Sequence, residues 1–97
     1  STTGIEAALT PVKSFIVFPS IVSETVNVRY HVDQNSRIEI KLRDLLGNVA
    51  SVLFSQNETT GDYERTFVID RSRIASGIYI AEIILGEKRN QQKILVN

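Results

Sequence analysis

Apolar and polar residues alternate with period two along most of the chain, and helical periodicity is nearly absent. That pattern predicts strands. Across residues 24–32, Val26, Val28, Tyr30 and Val32 share one face, with Asn27, Arg29 and His31 on the other. Residues 36–44 repeat the pattern, with Ile38, Ile40 and Leu42 facing in and Arg37, Glu39, Lys41 and Arg43 facing out. One dry and one wet face is the mark of a sheet packed on one side. The intervening Asp33-Gln34-Asn35-Ser36 is a four-residue turn signal, which predicts that the two strands form a hairpin.

A turn around Leu46–Asn48 leads into a strand from Val49 to Phe54, and a polar loop closed by Gly61 leads into another over 63–70. That strand places Tyr63, Arg65, Phe67 and Ile69 on one side and Glu64, Thr66 and Val68 on the other, so its buried face is not evident. A connection ending at Gly77 precedes residues 78–85, which are apolar on both faces except for Glu82. Such a strand belongs in the middle of a sheet. Residues 86–91 read as a turn and 92–96 as a last strand, its hairpin partner. With residues 14–19 this gives seven strands. The expected fold is all-β: a seven-stranded immunoglobulin-like antiparallel β-sandwich occupying residues 14–97, behind a linker at 1–13. The terminal strand should then be sheet up to its last residues, where chains usually fray.

Ninety-seven residues, 42% apolar and 23% charged, suit one globular domain. Eleven basic residues balance eleven acidic ones, so no electrostatic argument favours nucleic acid or an anionic membrane. With no cysteine and one histidine, thiolate chemistry is excluded and a transition-metal site would need carboxylates throughout. His31 sits on a wet strand face beside Arg29, a solvated position. Asn57, Glu58, Asp62 and Glu64 are the only oxygen donors close enough in sequence to suggest calcium, and their spacing fits no familiar calcium loop. Arg29, Arg37, Lys41 and Arg43, with Glu39 among them, would form a modest basic patch if their strands paired. No catalytic pair, phosphate loop or base-stacking platform is present. The expectation is no enzyme, no cofactor, no metal and no nucleic acid.

Four stretches, in this order and at these distances, resemble a known family: "FIVFPSIVSETVNVRY", "IEIKLRDLLGNVASVLF", "IASGIYIAEI" and the closing "QKILVN". Together they are similar to the C-terminal sorting domain of type IX secretion, type A. Phe18 and Pro19 match its first element, although Ser20-Ile21 stands where Asn-Pro is usual. Asp44 and Gly47 match its turn, Gly61 its mid-chain glycine, and Ile74, Gly77 and Tyr79 its next motif. Lys93, Ile94, Leu95 and Val96 match the terminal run, with Asn97 where lysine is common.

The resemblance implies a secretion signal rather than a catalyst. Its passenger would precede it in the same chain. Its partners would be an outer-membrane translocon and a cell-surface sortase or attachment complex. The sortase would cleave at or before the linker, near residues 1–10, and join the passenger to anionic lipopolysaccharide. Localisation would be the periplasm in transit, then the outer membrane, cell surface or medium of a Gram-negative bacterium. Residues 93–97 would be the signal, read at a sheet edge by a receptor strand or through the terminus, and the same edge would favour a homodimer. Two other readings stay open: an accessory immunoglobulin- or fibronectin-like spacer or carbohydrate-binding module, and a domain retained by the secretion apparatus itself.

Overall fold

The computed structural model describes residues 15–97; the linker and cleavage region at 1–13 lie outside them. Eight strands form two sheets, and no helix occurs among the described residues. The strands are β1 (Ile16–Phe18), β2 (Ile21–Val22), β3 (Thr25–Val32), β4 (Ser36–Arg43), β5 (Val49–Glu58), β6 (Gly61–Val68), β7 (Gly77–Leu85) and β8 (Lys88–Val96). One sheet has the order β1-β3-β6 and the other β2-β8-β7-β4-β5.

The eighth strand is β2, an unpredicted pair of residues just past the first predicted strand, which ends at Pro19. Proline has no N–H to give a ladder. The chain leaves β1 through the cis Phe18–Pro19 bond and changes sheet. There β2 lies parallel to the end of β8, Ile21 opposite Leu95 and Val22 opposite Val96.

The predicted β3–β4 hairpin does not form. β3 pairs with β1 and β6, whereas β4 pairs with β5 and β7. Asp33–Asn35 carries the chain between sheets instead. The two strands bury like faces, and those faces meet across the core: Val26, Val28, Tyr30 and Val32 on one side, Ile38, Ile40 and Leu42 on the other. A hairpin would have set these apolar rows side by side with nothing above them, whereas the crossing covers both. Burying each such aliphatic side chain is worth about 1.5–3 kcal/mol.

The same logic acts at Thr59-Thr60, which crosses from β5 to β6. The polar loop expected at 55–62 is therefore mostly strand, with β5 running on to Glu58. In β6 the inward face is that of Tyr63, Arg65 and Phe67, each half-buried. The β7–β8 hairpin and the central place of β7 are as predicted. Its turn is shorter than expected, because only Gly86 and Glu87 lie outside the strands and β8 begins at Lys88.

Candidate functional site

The terminal strand has two faces of opposite kind. Ile94 and Val96 are buried in the core, while Lys93, Leu95 and Asn97 are turned outward. Strand alternation makes this unavoidable once β8 pairs with β7, Tyr79 opposite Ile94 and Gly77 opposite Val96. The end of the strand is not the open edge that strand addition would need. Leu95 N donates to Ser20 O at 2.9 Å and Asn97 N to Val22 O at 2.7 Å, so β2 already occupies it. Farther back, Gln92 sends its side-chain amide across to β1, accepting from Val17 N at 3.1 Å and donating to Val17 O at 2.7 Å. That amide satisfies two backbone groups of β1 and ties the two sheets together along this side.

All the other motif residues but Gly61 sit around the same end of the sandwich. Asp44 shapes the β4–β5 turn: its Oδ1 accepts from Leu46 N and Asn48 N, both at 2.9 Å, and its carbonyl from Gly47 N at 3.0 Å. Gly47 has φ +91°, a conformation that costs any residue with a Cβ. Leu45 and Leu46 are thereby held at the turn's tip, Leu46 87% exposed. Ile74 is a buried plug from the β6–β7 connection. Arg71 clamps that connection, donating to the carbonyls of Ile74 (3.2 Å) and Ser23 (2.8 Å) and to Ser76 Oγ (3.0 Å). Tyr79 packs against the core and its hydroxyl donates to Ala75 O at 2.9 Å. Gly77 opens β7 and Phe18 ends β1 at Pro19. Gly61 lies apart at the opposite end, opening β6. The structure thus gathers Pro19, Asp44, Gly47, Ile74, Gly77, Tyr79 and the terminal residues at one end, as geometry-setting positions around the terminal strand.

The calcium donors do not converge. Glu58 points into the core, whereas Asp62 and Glu64 face outward and pair with His31 (2.7 Å) and Arg29 (3.0 Å). Among the described residues no group of three or more acidic or histidine side chains is placed to hold a metal. The basic patch also changes membership. Arg29 lies on the other sheet, while β8 adds Arg89 and Lys93 to Arg37, Lys41 and Arg43.

Two buried ionic clusters had no clear sequence signal. Glu58 of β5 accepts from the Tyr30 hydroxyl of β3 and from Arg65 Nη2 of β6, and Arg65 Nε reaches Tyr30 Oη at 3.0 Å. Tyr63 stacks on Tyr30 with ring centroids 5.4 Å apart, and Arg65 lies over Phe54 at 4.4 Å. Burial, reinforced by the Glu58 carboxylate, pushes the Tyr30 phenol far above its ordinary range. On the outer face of β7, Glu82 is fully covered by its partners: Arg43 Nε at 2.8 Å, Gln91 Nε2 at 3.1 Å and Arg89 Nη1 at 3.5 Å. Burial alone would raise the Glu82 carboxyl, but the hydrogen bonds from Arg43 and Gln91 outweigh it and hold it below the usual range. The lone acid on an apolar strand was the one hint of this cluster.

A family model described as "Secretion system C-terminal sorting domain" matches residues 16–97. No curated protein matches the chain. Among solved structures, an alkylpurine DNA glycosylase from Pseudomonas fluorescens, AlkC, bound to DNA containing an abasic-site analogue, superposes with a TM-score of 0.55 at 11% identity. The match covers 90% of this chain and 30% of the glycosylase. At that identity the likeness is one of fold.

Proposed function

Because the chain belongs to the family of type IX secretion C-terminal sorting domains, a signal for delivery to the cell surface or beyond, we propose that its outward terminal residues are what the secretion machinery reads. The observation that carries this is the alternation at the terminus. Ile94 and Val96 are committed to the core, which leaves Lys93, Leu95 and Asn97 presented on a strand pinned from both sides. The signal is therefore a rigid surface rather than a free tail. The domain acts as an address and not as a catalyst. Its passenger precedes it, crosses the periplasm and then the outer membrane, and is released by a surface sortase that joins it to anionic lipopolysaccharide. Its connectivity, with crossings between sheets at Asp33–Asn35 and Thr59-Thr60, we assign to the immunoglobulin-like group. Self-association through an edge would use β5 or β6, since β2 occupies the end of β8.

The test is surface delivery of a periplasm-directed fluorescent protein fused to the chain in a type IX-competent bacterium. A Lys93→Ala/Leu95→Ala/Asn97→Ala variant should lose delivery while the purified domain unfolds with an unchanged midpoint. An intact domain that leaves its reporter in the periplasm would favour the accessory-module reading instead.

A further inference from the structure

The outer faces of the two sheets differ in a way that marks one of them for a partner. On the three-stranded sheet the outward acids already have partners, Glu64 in Arg29 and Asp62 in the ring nitrogen of His31. The five-stranded sheet carries Arg37, Lys41, Arg43, Arg89 and Lys93 outward against only two carboxylates, Glu39 and Glu82. Both carboxylates are already shared, Glu39 between Arg37 and Lys41, Glu82 between Arg43 and Arg89. The face keeps an excess of three positive charges in a chain whose formal net charge is zero. Lys93 meets no carboxylate among the described residues.

At one end of this same face the polar pattern fails. Ile21, Leu95 and Ile78 stand in a row across β2, β8 and β7, with Ile21 opposite Leu95 and Leu95 opposite Ile78. They are 58%, 40% and 42% exposed. Three neighbouring strands make the row roughly 10 Å wide. A shallow groove of about 280 Å³ runs along it, with Lys93 and Ser20 at its rim. Past the next strand, Leu45 and Leu46 project from the β4–β5 turn and Val49 follows. The opposite end, at Asp33–Asn35, Thr59-Thr60 and Gly86-Glu87, exposes no large apolar side chain.

We infer that this end of the five-stranded sheet docks a protein surface that seats an aliphatic side chain in the Ile21–Leu95–Ile78 groove and sets carboxylates against Lys93 and the neighbouring cations. Charge complementarity identifies the acidic partner, since the face has five cations to two carboxylates and Lys93 meets none among the described residues. The row is half-sunk between strands and flat, which suits a packed protein face better than insertion among lipid tails. This deepens the sorting reading by extending the recognised surface from the terminal strand to β2 and β7.

The experiment places a photoreactive amino acid at position 78 or 95, or at 16 or 68 on the other sheet, in the reporter fusion, and maps cross-linked peptides in cells. Expected are adducts from 78 and 95 alone, to one protein, on a peptide with an aliphatic residue flanked by Asp or Glu. In parallel, Lys93→Glu and Ile78→Ser should each cut surface delivery at least tenfold, Lys93→Arg should restore it, and Val68→Ser should leave it unchanged, all with cooperative unfolding retained. Adducts to lipid or lipopolysaccharide, adducts from both faces alike, or normal delivery by Lys93→Glu and Ile78→Ser would each overturn the inference. A reporter that stays periplasmic yet gives the specific adduct would refute the sorting reading and leave the docking surface standing. Neither delivery nor adduct would refute both.

Discussion

Replacing Glu58 by leucine tests whether the two sheets are locked by charge as well as by apolar contact. Glu58 lies in β5, at the edge of one sheet, and its partners Tyr30 and Arg65 lie in the other. The substitution keeps a side chain of similar volume but removes both acceptors. The Tyr30 hydroxyl, on a residue only 1% exposed, loses its carboxylate, and the guanidinium of Arg65 loses its counter-charge. Leaving a buried hydroxyl unsatisfied costs about 1–3 kcal/mol, and stripping one partner from a buried ion pair costs about 3–5 kcal/mol.

The second figure must be discounted, because the Arg65 side chain is 35% exposed and can turn toward water. Arg65 can also keep part of its bond to Tyr30. The expected loss is therefore about 2–4 kcal/mol, with Glu58→Gln nearer 1–2 because its amide oxygen still accepts one bond. Urea unfolding followed by fluorescence or circular dichroism measures this, with an unchanged m-value showing that the cooperative unit is the same. A thermal midpoint lowered by more than ~8 °C is the corresponding scan result for a domain of this size. Glu58→Leu within about 0.5 kcal/mol of wild type would refute the reasoning, and would mean that apolar packing replaces the pair at no cost. A double-mutant cycle with Tyr30→Phe isolates the coupling, expected at no less than about 0.5 kcal/mol because the two groups touch.

Three further outcomes follow from the same structure. The Tyr30 phenol is held neutral in the folded domain, so its contribution is fully present below the ordinary tyrosine value of 10.0 and is lost as pH rises beyond it; urea midpoints at pH 9, 10 and 11 should fall, with a limiting slope of about 1.4 kcal/mol per pH unit from this group, and Tyr30→Phe should flatten the fall. Glu82 is held ionised, so its contribution is present above the ordinary glutamate value of 4.5 and is lost as pH drops through its lowered value; acid titration of stability should show this component in wild type and lack it in Glu82→Gln. Gly47→Ala meets no neighbouring atom within 4 Å but must adopt φ +91°, so it should cost about 1–2 kcal/mol through the backbone alone, and Gly47→Asn, which tolerates that region better, should cost visibly less by the same assay.

How much of this was legible in the sequence depended on whether a strand met its partner locally. Period-two alternation placed Val26–Val32 and Ile38–Leu42 on the right faces, because alternation is set within a strand. The Asp33–Asn35 segment was misread for the opposite reason. A polar four-residue link is compatible with a hairpin or with a crossing between sheets, and only the need to cover two like apolar faces decides between them. Glu58 looked like a loop residue beside Thr59-Thr60-Gly61, and its burial follows from β5 outrunning the expected strand to meet Arg65 on the inward face of β6. Gln92 and the Ile21-Val22 pair gave no signal, since a side-chain amide bridging sheets and a two-residue parallel strand leave no periodicity to detect.

The apolar terminus serves two roles on alternate residues. Every second residue of β8's end is needed by the core: Ile94 is 2% exposed, and truncating such a side chain costs about 2–5 kcal/mol. Removing residues 93–97 therefore deletes two core side chains along with the bonds to Ser20 and Val22, and a lost export phenotype would not separate signal from fold. The outward residues carry no such burden. Leu95 contributes an exposed side chain while its N–H is held by Ser20, and Lys93 contributes a charge that nothing in the described chain neutralises. A receptor reading Lys93 and Leu95 reads side chains whose positions are fixed only when β2, β7 and β8 are assembled. If those side chains are the address, as proposed, it is displayed only by the folded domain, and a passenger whose sorting domain has not folded presents nothing to dock.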